Sequence, residues 1–473
     1  MSRKRRELPL LTDVTIADIG AEGQAVARVD GLVVFVPFAV PGDIGDIQLT
    51  HKKKNYAEGR LVLLKQPSPI RLEPQCPHFG TCGGCRWQIL PYKEQLKAKQ
   101  QQVKDQLERI GHIDCSAMQP IIASPKIYHY RNKLEFTFSS RRWRQHPDDS
   151  ETEMWGALGF HVPRLFDKVL DITRCELQDE PSNAIRNWLR SYAQAHQLSC
   201  YDIRNHTGFL RNIVIRCSNT NQWMVILVVA EDEPSLLYPL LDQMADQFPQ
   251  ITSLQYIINK KFNDSYTDLP VVCYRGSDHI VEEMESHDLS RTLRFKITPK
   301  SFFQTNSQQA QRLYSVVAQM AQLQGNETVY DLYTGTGTIA HFLADHCRKV
   351  VGIEYVDDAI ADARTNATLN RHSNTLFYAG DMAEVLTPAF IEANGHPDVV
   401  VTDPPRAGMH PQVVEQLLRT APETIVYVSC NPATQARDIE LLSPKYRVEC
   451  IQPVDMFPHT QHVENVVKLN RID

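Results

Sequence analysis

Short apolar runs split by Gly and Asp turns fill the first seventy residues. They lie at Val14-Thr15-Ile16, Ala25-Val26-Ala27-Arg28-Val29, 32–38 and 44–49. A basic tip, Lys52-Lys53-Lys54-Asn55-Tyr56, precedes a last run at 59–64. Runs of this length and spacing predict strands. Five of them before a linker at Gln66-Pro67-Ser68-Pro69 predict a small barrel of the oligonucleotide-binding kind.

The pattern then changes twice. A polar stretch at 92–110, rich in Lys, Gln and Glu, predicts a helix. Between about 130 and 290, strand-like runs at 133–139, 158–161, 212–217, 223–229 and 253–259 surround one helix near 181–196, a mixed α+β pattern. From about 295, helices at 307–323, 339–346, 357–370 and 411–418 alternate with strands at 328–331, 350–354, 375–379, 399–401 and 424–428. That alternation predicts a parallel, doubly wound sheet whose ligands lie at the carboxyl ends of its strands.

At 473 residues the chain is too long for one core. We expect a multidomain α/β protein with a barrel at 8–67, a central α+β domain at 68–290 and a Rossmann-like domain at 291–473. Helix 91–112 is expected to pack on the last of these.

Composition narrows the class only slightly. Hydrophobic residues at 42% and charged residues at 22% describe an ordinary globular chain. Its densest apolar runs, such as 224–230, are strand-sized and too short to span a bilayer. The basic cluster Arg3-Lys4-Arg5-Arg6 is not followed by the apolar stretch of a signal peptide. A cytoplasmic monomer with no membrane partner is expected.

Net charge is −6, but it is divided unevenly: residues 1–150 hold 23 Lys and Arg against 16 Asp and Glu, and the remainder 27 against 40. Clusters at Arg3 to Arg6, Lys52-Lys53-Lys54 and Arg141-Arg142-Arg144 suit a front half that binds phosphates. Any one of them is equally compatible with a plain solvated surface.

Eleven cysteines in a cytoplasmic chain should not form structural disulfides, and most sit singly in apolar surroundings, as core residues do. Cys76, Cys82 and Cys85 differ: within ten residues they offer three thiolates from one Gly-rich loop. A fourth ligand must come from elsewhere, and four thiolates suit zinc or a [4Fe–4S] cluster equally by spacing.

Candidate chemistry is concentrated in the last third. Asp331-Leu332-Tyr333-Thr334-Gly335-Thr336-Gly337-Thr338 joins a strand to a helix, where Gly335 and Gly337 let a ligand approach the backbone. The next strand ends at Glu354, placed to accept ribose hydroxyls, and a third ends near Asp381, placed to meet an adenine amino group. A glycine loop followed by two acids on successive strands describes an S-adenosylmethionine pocket better than a dinucleotide site, which carries three spaced glycines. Asp403-Pro404-Pro405-Arg406 reads as a pocket edge. Ser429-Cys430-Asn431-Pro432 follows a strand and presents a thiol at the same mouth. A nucleophilic thiol beside a methyl donor suggests addition to C6 of a pyrimidine, so that C5 becomes nucleophilic enough to be methylated. A base must then remove the C5 proton, and Glu464, in His462-Val463-Glu464-Asn465-Val466-Val467, is the best placed. The ordinary readings are a buried thiol and a surface carboxylate.

Asp-Pro-Pro-Arg, Ser-Cys-Asn-Pro and His-Val-Glu-x-Val-Val together resemble the RNA uracil-5 methyltransferases, the RumA and TrmA family. The barrel, with Pro41-Gly42-Asp43 and Tyr56-Ala57-Glu58-Gly59, resembles the TRAM module of RumA-type members. The resemblance implies that Gln304, Tyr333, Thr338, Glu354, Asp381 and Asp403 bind S-adenosylmethionine or frame its pocket. It further implies that Phe302 or Phe303 stacks on an extruded base. Relatives often carry Phe at the position of Tyr333 and Asn at that of Thr338. Cys175 is implied as the fourth ligand, and an iron–sulfur cluster as the group bound. The implied substrate is a uridine of 23S ribosomal RNA, with a tRNA T-loop uridine or two ribosomal sites as alternatives.

A cytosine-5 RNA methyltransferase would also use a thiol adduct, but those enzymes usually carry a cysteine inside the proline motif, and Asp403 to Arg406 has none. A catalytically inert iron–sulfur RNA-binding protein is the alternative of another class. Cys430, Glu464 and the cofactor acids, all intact, argue against it.

Overall fold

The computed structural model describes residues 8–144 and 155–472; the Arg3 to Arg6 cluster lies outside them. Strands Leu10–Ile19, Ala25–Val29, Leu32–Val36, Ile44–Lys52 and Tyr56–Gln66 close into a barrel in the order first, second, third, fifth, fourth. Val14 and Ile16, Ala25 and Ala27, Val34 and Val36, Ile47 and Leu49 point inward as strand pairs two residues apart. At Gly59 a Cβ would stand 2.3 Å from the Ile47 side chain, so the two strands pack this closely only with glycine there.

The central domain is a seven-stranded sheet, ordered Val272–Gly276, Ile251–Ile258, Trp223–Val229, Leu210–Cys217, Lys133–Ser139, Ala157–His161 and Val169–Asp171. Helices Ser182–Ala195 and Pro234–Gln247 cover it through Ile185, Leu189, Leu237 and Leu241. The second helix was not expected from the sequence; Pro234 and Pro239 lie within it. Pro234 stands in the first turn, where its missing N–H costs nothing.

The last sheet runs Thr375–Ala379, Lys349–Glu354, Thr328–Leu332, Val399–Thr402, Thr424–Ser429, Glu464–Arg471, Tyr446–Val454. Its first five strands are parallel, and Glu464–Arg471 is antiparallel to both neighbours. A hairpin, Ile280–Glu285 with Thr292–Ile297, spans residue 291 and buries Ile280, Met284, Leu293 and Phe295 in this domain's core.

Helix Tyr92–Gly111 crosses helix Pro432–Leu442 so closely that a Cβ on Gly111 would meet the Ala436 carbonyl at 2.7 Å. Its hydrophobic stripe, Val103 and Leu107, joins the core beneath that helix. Its buried polar side chains reach the far end of the chain: Lys99 Nζ lies 2.5 Å from Asp455 Oδ1, both fully buried, and Gln95 Oε1 accepts from the His459 N–H at 2.8 Å. Removing one partner of such a buried pair costs about 3–5 kcal/mol. Among the described residues no helix is long and apolar enough to cross a membrane.

Candidate active site

Strand register alone brings the motifs together. Leu332 pairs with Ile353 and with Thr402, so Tyr333 emerges between Glu354 and Asp403 at the carboxyl edge. Ser429 pairs antiparallel with Asn465, which sets Cys430 opposite Glu464. The reversed last strand thus begins where the parallel strands end.

The glycine loop is held from both sides. Asp331 Oδ2 accepts from the Thr334 hydroxyl at 2.5 Å and the Ala340 N–H at 3.1 Å, while its Oδ1 is buried without a partner. Glu354 accepts the Gly335 N–H at 3.1 Å and the Val356 N–H at 3.0 Å. An ionised carboxylate has about four acceptor positions, so two remain for ribose hydroxyls. Gly335, at φ 55°, would point a Cβ into open space, whereas Gly337, at φ 77°, packs against Ala363, Phe377 and His341. Thr338 opens helix Thr338–Ala344, and Asp381 caps helix Met382–Val385 by accepting the Ala383 N–H at 2.9 Å. The open volume before Gly335, the free Asp331 oxygen and the spare Glu354 lone pairs fit a nucleoside-bearing cofactor.

The turn carrying the thiol follows from its sequence. Asn431 caps helix Pro432–Leu442, accepting the Ala433 N–H at 3.2 Å, and Pro432 occupies the first turn. The Ser429 hydroxyl accepts the Asn431 N–H at 3.1 Å, and the Asn431 amide donates to the Arg406 carbonyl at 3.0 Å, joining the turn to the Asp-Pro-Pro-Arg loop. Cys430 is half-buried. Burial pushes its thiol up to about 11; Glu464 and Asp403 add to this, while the positive charge of Arg406 opposes it.

Burial holds Glu464 well above the ordinary carboxylate range, with Asp403 adding and Arg406 opposing, and it pushes Asp403 up to about 7. Tyr314, buried on helix Ser307–Ala321, feels Asp403, Glu464 and Asp331 together and is pushed above the ordinary phenol range, chiefly by burial. Arg406 and Tyr314 were not singled out from sequence. Arg406 lay inside a motif already read as an edge, and Tyr314 lies within the helix expected at 307–323.

Gln304 is presented by its backbone, whose carbonyl accepts from the Asn132 amide at 2.9 Å. Beside it Phe303 is buried and Phe302 is 72% exposed, so Phe302 is the ring open to a base.

The four cysteines implied as ligands lie near enough to influence one another's thiols, but no three of their sulfurs stand within 4.8 Å of one another. Burial pushes Cys85 up to about 12 and Cys175 up to about 11, with the neighbouring thiols adding to each, and Cys76 and Cys82 are raised too, again mainly by burial. The Gly84 N–H donates to Cys82 Sγ at 3.5 Å, and the Cys76 N–H donates to Gln88 Oε1 at 3.0 Å. Three of the four thiols are buried and Cys82 is half-buried, so they would be ionised only against a bound cationic centre.

Of the basic clusters, Lys52, Lys53 and Lys54 are exposed at the tip between two barrel strands, with Lys53 5.2 Å from the Tyr56 ring centre. Arg141 and Arg142 are instead paired with Asp202 and Asp171, at 3.3 and 3.2 Å.

Residues 12–62 match the family model of the TRAM domain, and residues 273–472 that of tRNA (uracil-5-)-methyltransferase. An uncharacterised RNA methyltransferase of Bacteroides thetaiotaomicron is 54% identical, covering 95% of this chain and 99% of its own. The chain belongs to the RNA (uracil-5-)-methyltransferase family.

A second uncharacterised RNA methyltransferase, from Porphyromonas gingivalis, is 52% identical to this family member over 96% of this chain and 99% of its own. Among solved structures, the Pyrococcus abyssi tRNA (uracil-54, C5)-methyltransferase in complex with S-adenosyl-L-homocysteine superposes with a TM-score of 0.72. It is 29% identical, covering 96% of this chain and 99% of that one. This methyltransferase therefore uses S-adenosylmethionine to methylate C5 of uracil in RNA.

Proposed function

We propose that the enzyme methylates one uridine of 23S ribosomal RNA, with Cys430 as nucleophile and Glu464 as the base. The observation that carries the mechanism is the register placing Cys430 opposite Glu464, beside Asp403, at the carboxyl edge of the sheet. Cys430 adds to C6, the resulting enolate takes the methyl group at C5, Glu464 removes the C5 proton, and the thiolate leaves as the double bond re-forms. S-adenosylmethionine, when bound, supplies the methyl group and a positive charge near the carboxylates. Gln304, Tyr333, Gly335, Gly337, Thr338, Glu354, Asp381 and Asp403 hold it or frame its pocket. The positive charge of Arg406 favours the thiolate form of Cys430.

A tRNA uridine is the second reading, because the Pyrococcus abyssi relative is a tRNA (uracil-54, C5)-methyltransferase. Mapping 5-methyluridine in ribosomal and transfer RNA from a deletion strain decides between them. Loss from 23S ribosomal RNA alone supports the first reading, and loss from transfer RNA alone overturns it.

Cys76, Cys82, Cys85 and Cys175 are proposed to hold a [4Fe–4S] cluster with a structural role, since methyl transfer moves no net electrons. Protein purified without oxygen is expected to be brown, and Ser at any of the four positions to bleach it. Zinc without iron or sulfide on elemental analysis would replace the cluster with a zinc site.

The barrel is proposed to grip phosphates through its lysine tip. Changing Lys52, Lys53 and Lys54 together to Ala should weaken RNA binding alike across sequences. It should also flatten the slope of log affinity against log salt by up to about 0.7 per lost single-strand contact. Turnover at saturating RNA should hardly change. An unaltered slope would reduce the tip to an ordinary exposed hairpin.

A further inference from the structure

Two of the most exposed rings in the protein stand on neighbouring loops of the central domain, away from the catalytic sheet. Phe166 is 64% exposed and Phe262 71%. Each has one face covered by a polar π-partner. The Arg204 guanidinium lies 5.4 Å from the centre of the Phe166 ring, and His206 stacks on Phe262 at 4.3 Å and 29°. Arg204 and His206 belong to one turn, so about 7 Å of chain at most separates the two supports.

Loops that merely tolerate an exposed Phe are not usually built this firmly. The Asp202 carboxylate accepts the N–H groups of Arg204 and Asn205 at 2.9 and 3.0 Å and the Ser140 hydroxyl at 3.0 Å. The loop bearing Phe262 is wrapped around Arg211, a fully buried guanidinium that donates to the carbonyls of Asn259, Lys261 and Asn263 and to Asp264. Arg211 lies 4.1 Å from the Tyr201 ring centre, and the Tyr201 hydroxyl meets His206 Nδ1 at 3.3 Å. The circuit closes on itself from Phe262 through His206, Tyr201 and Arg211 back to the Phe262 loop.

We propose that Phe166 and Phe262 form a preorganised platform on which unpaired bases of the substrate RNA stack. The inference rests on the enzyme's acting on RNA and adds where RNA outside the target uridine is held. Bases stack on aromatic faces with little regard to sequence, and a platform already rigid loses less freedom on binding. The loop bearing Phe166 also continues the barrel: Arg164 lies 3.9 Å from Glu58, on the strand leaving the lysine tip, and Pro163 packs against Gly83 of the cysteine loop. The cation against Phe166 and the one next to Phe262 in the chain are already paired, Arg204 with Asp167 and Lys261 with Asp268, both at 2.6 Å. The platform and the lysine tip should therefore leave different signatures.

The test compares the full-length parent with the double variants Phe166→Ala/Phe262→Ala and Phe166→Trp/Phe262→Trp. Binding of fluorescein-labelled oligouridine is followed by anisotropy across a salt series. The Ala variant should bind about fivefold to a hundredfold more weakly with an unchanged salt slope, and the Trp variant should recover parental affinity or exceed it. Parental affinity in the Ala variant overturns the platform. So does a Trp variant as weak as the Ala variant, or a patch whose loss changes only self-association on gel filtration. Methyl incorporation into RNA from labelled S-adenosylmethionine is measured alongside. If the parent incorporates none, the enzymatic reading fails; if it incorporates methyl groups while the rings prove irrelevant, the platform alone fails.

Discussion

Cys430→Ala should lose methyl transfer by at least about a thousandfold, the scale seen when a nucleophile acting as a unit with its partners is removed. The loss should fall on kcat. Cofactor affinity, read by calorimetry with S-adenosylhomocysteine, should stay within about twofold, because the glycine loop and Glu354 are ordered by Asp331 and by their own backbone contacts. The turn should survive the change, since Asn431 and Ser429 hold it without the sulfur. Turnover within tenfold of the parent would remove the covalent route. The parent's behaviour with RNA carrying 5-fluorouracil is the complement: with no C5 proton to remove, the adduct should persist through denaturation.

Glu464→Gln should separate the two halves of the reaction. Glutamine preserves shape but cannot take the C5 proton, so methylation proceeds and elimination slows by about a hundredfold to ten-thousandfold. A protein–RNA band should accumulate on a denaturing gel, already carrying the methyl group. Glu464 is buried and raised by its surroundings, with Arg406 opposing. Ionisation of Glu464 therefore limits the parent at low pH, and the elimination rate should rise with pH until the carboxyl is charged. In Glu464→Gln that rise should disappear. Loss of activity with no adduct would make Glu464 a positioning group.

Much of the site was legible because strands punctuate it. Gly335, Glu354, Asp403 and Cys430 stand at or just beyond strand ends, and a parallel sheet brings such ends to one edge. What escaped was whatever depended on packing between distant elements. Nothing local distinguishes Phe302 from Phe303, yet one is exposed and the other buried. Tyr314 acquires its acidic surroundings only when a helix outside the strand ends is laid across them. Lys99 reads as one more charge on a polar helix until Asp455 is folded against it. The clusters at Lys52 to Lys54 and Arg141 to Arg144 look alike as text, but two arginines of the second are tied to carboxylates.

The buried pair of Lys99 and Asp455 joins residues 356 positions apart. During synthesis the helix bearing Lys99 leaves the ribosome long before its partner exists, at roughly 5–20 residues per second. For tens of seconds Val103 and Leu107 have no core to enter, and the lysine must stay in water. The strand that begins at Glu464 is made later still than Asp455. Catalytic competence is thus withheld until the segment around Glu464 has been made, and a shorter nascent chain would present an apolar helix stripe to chaperones and proteases before it could act on RNA.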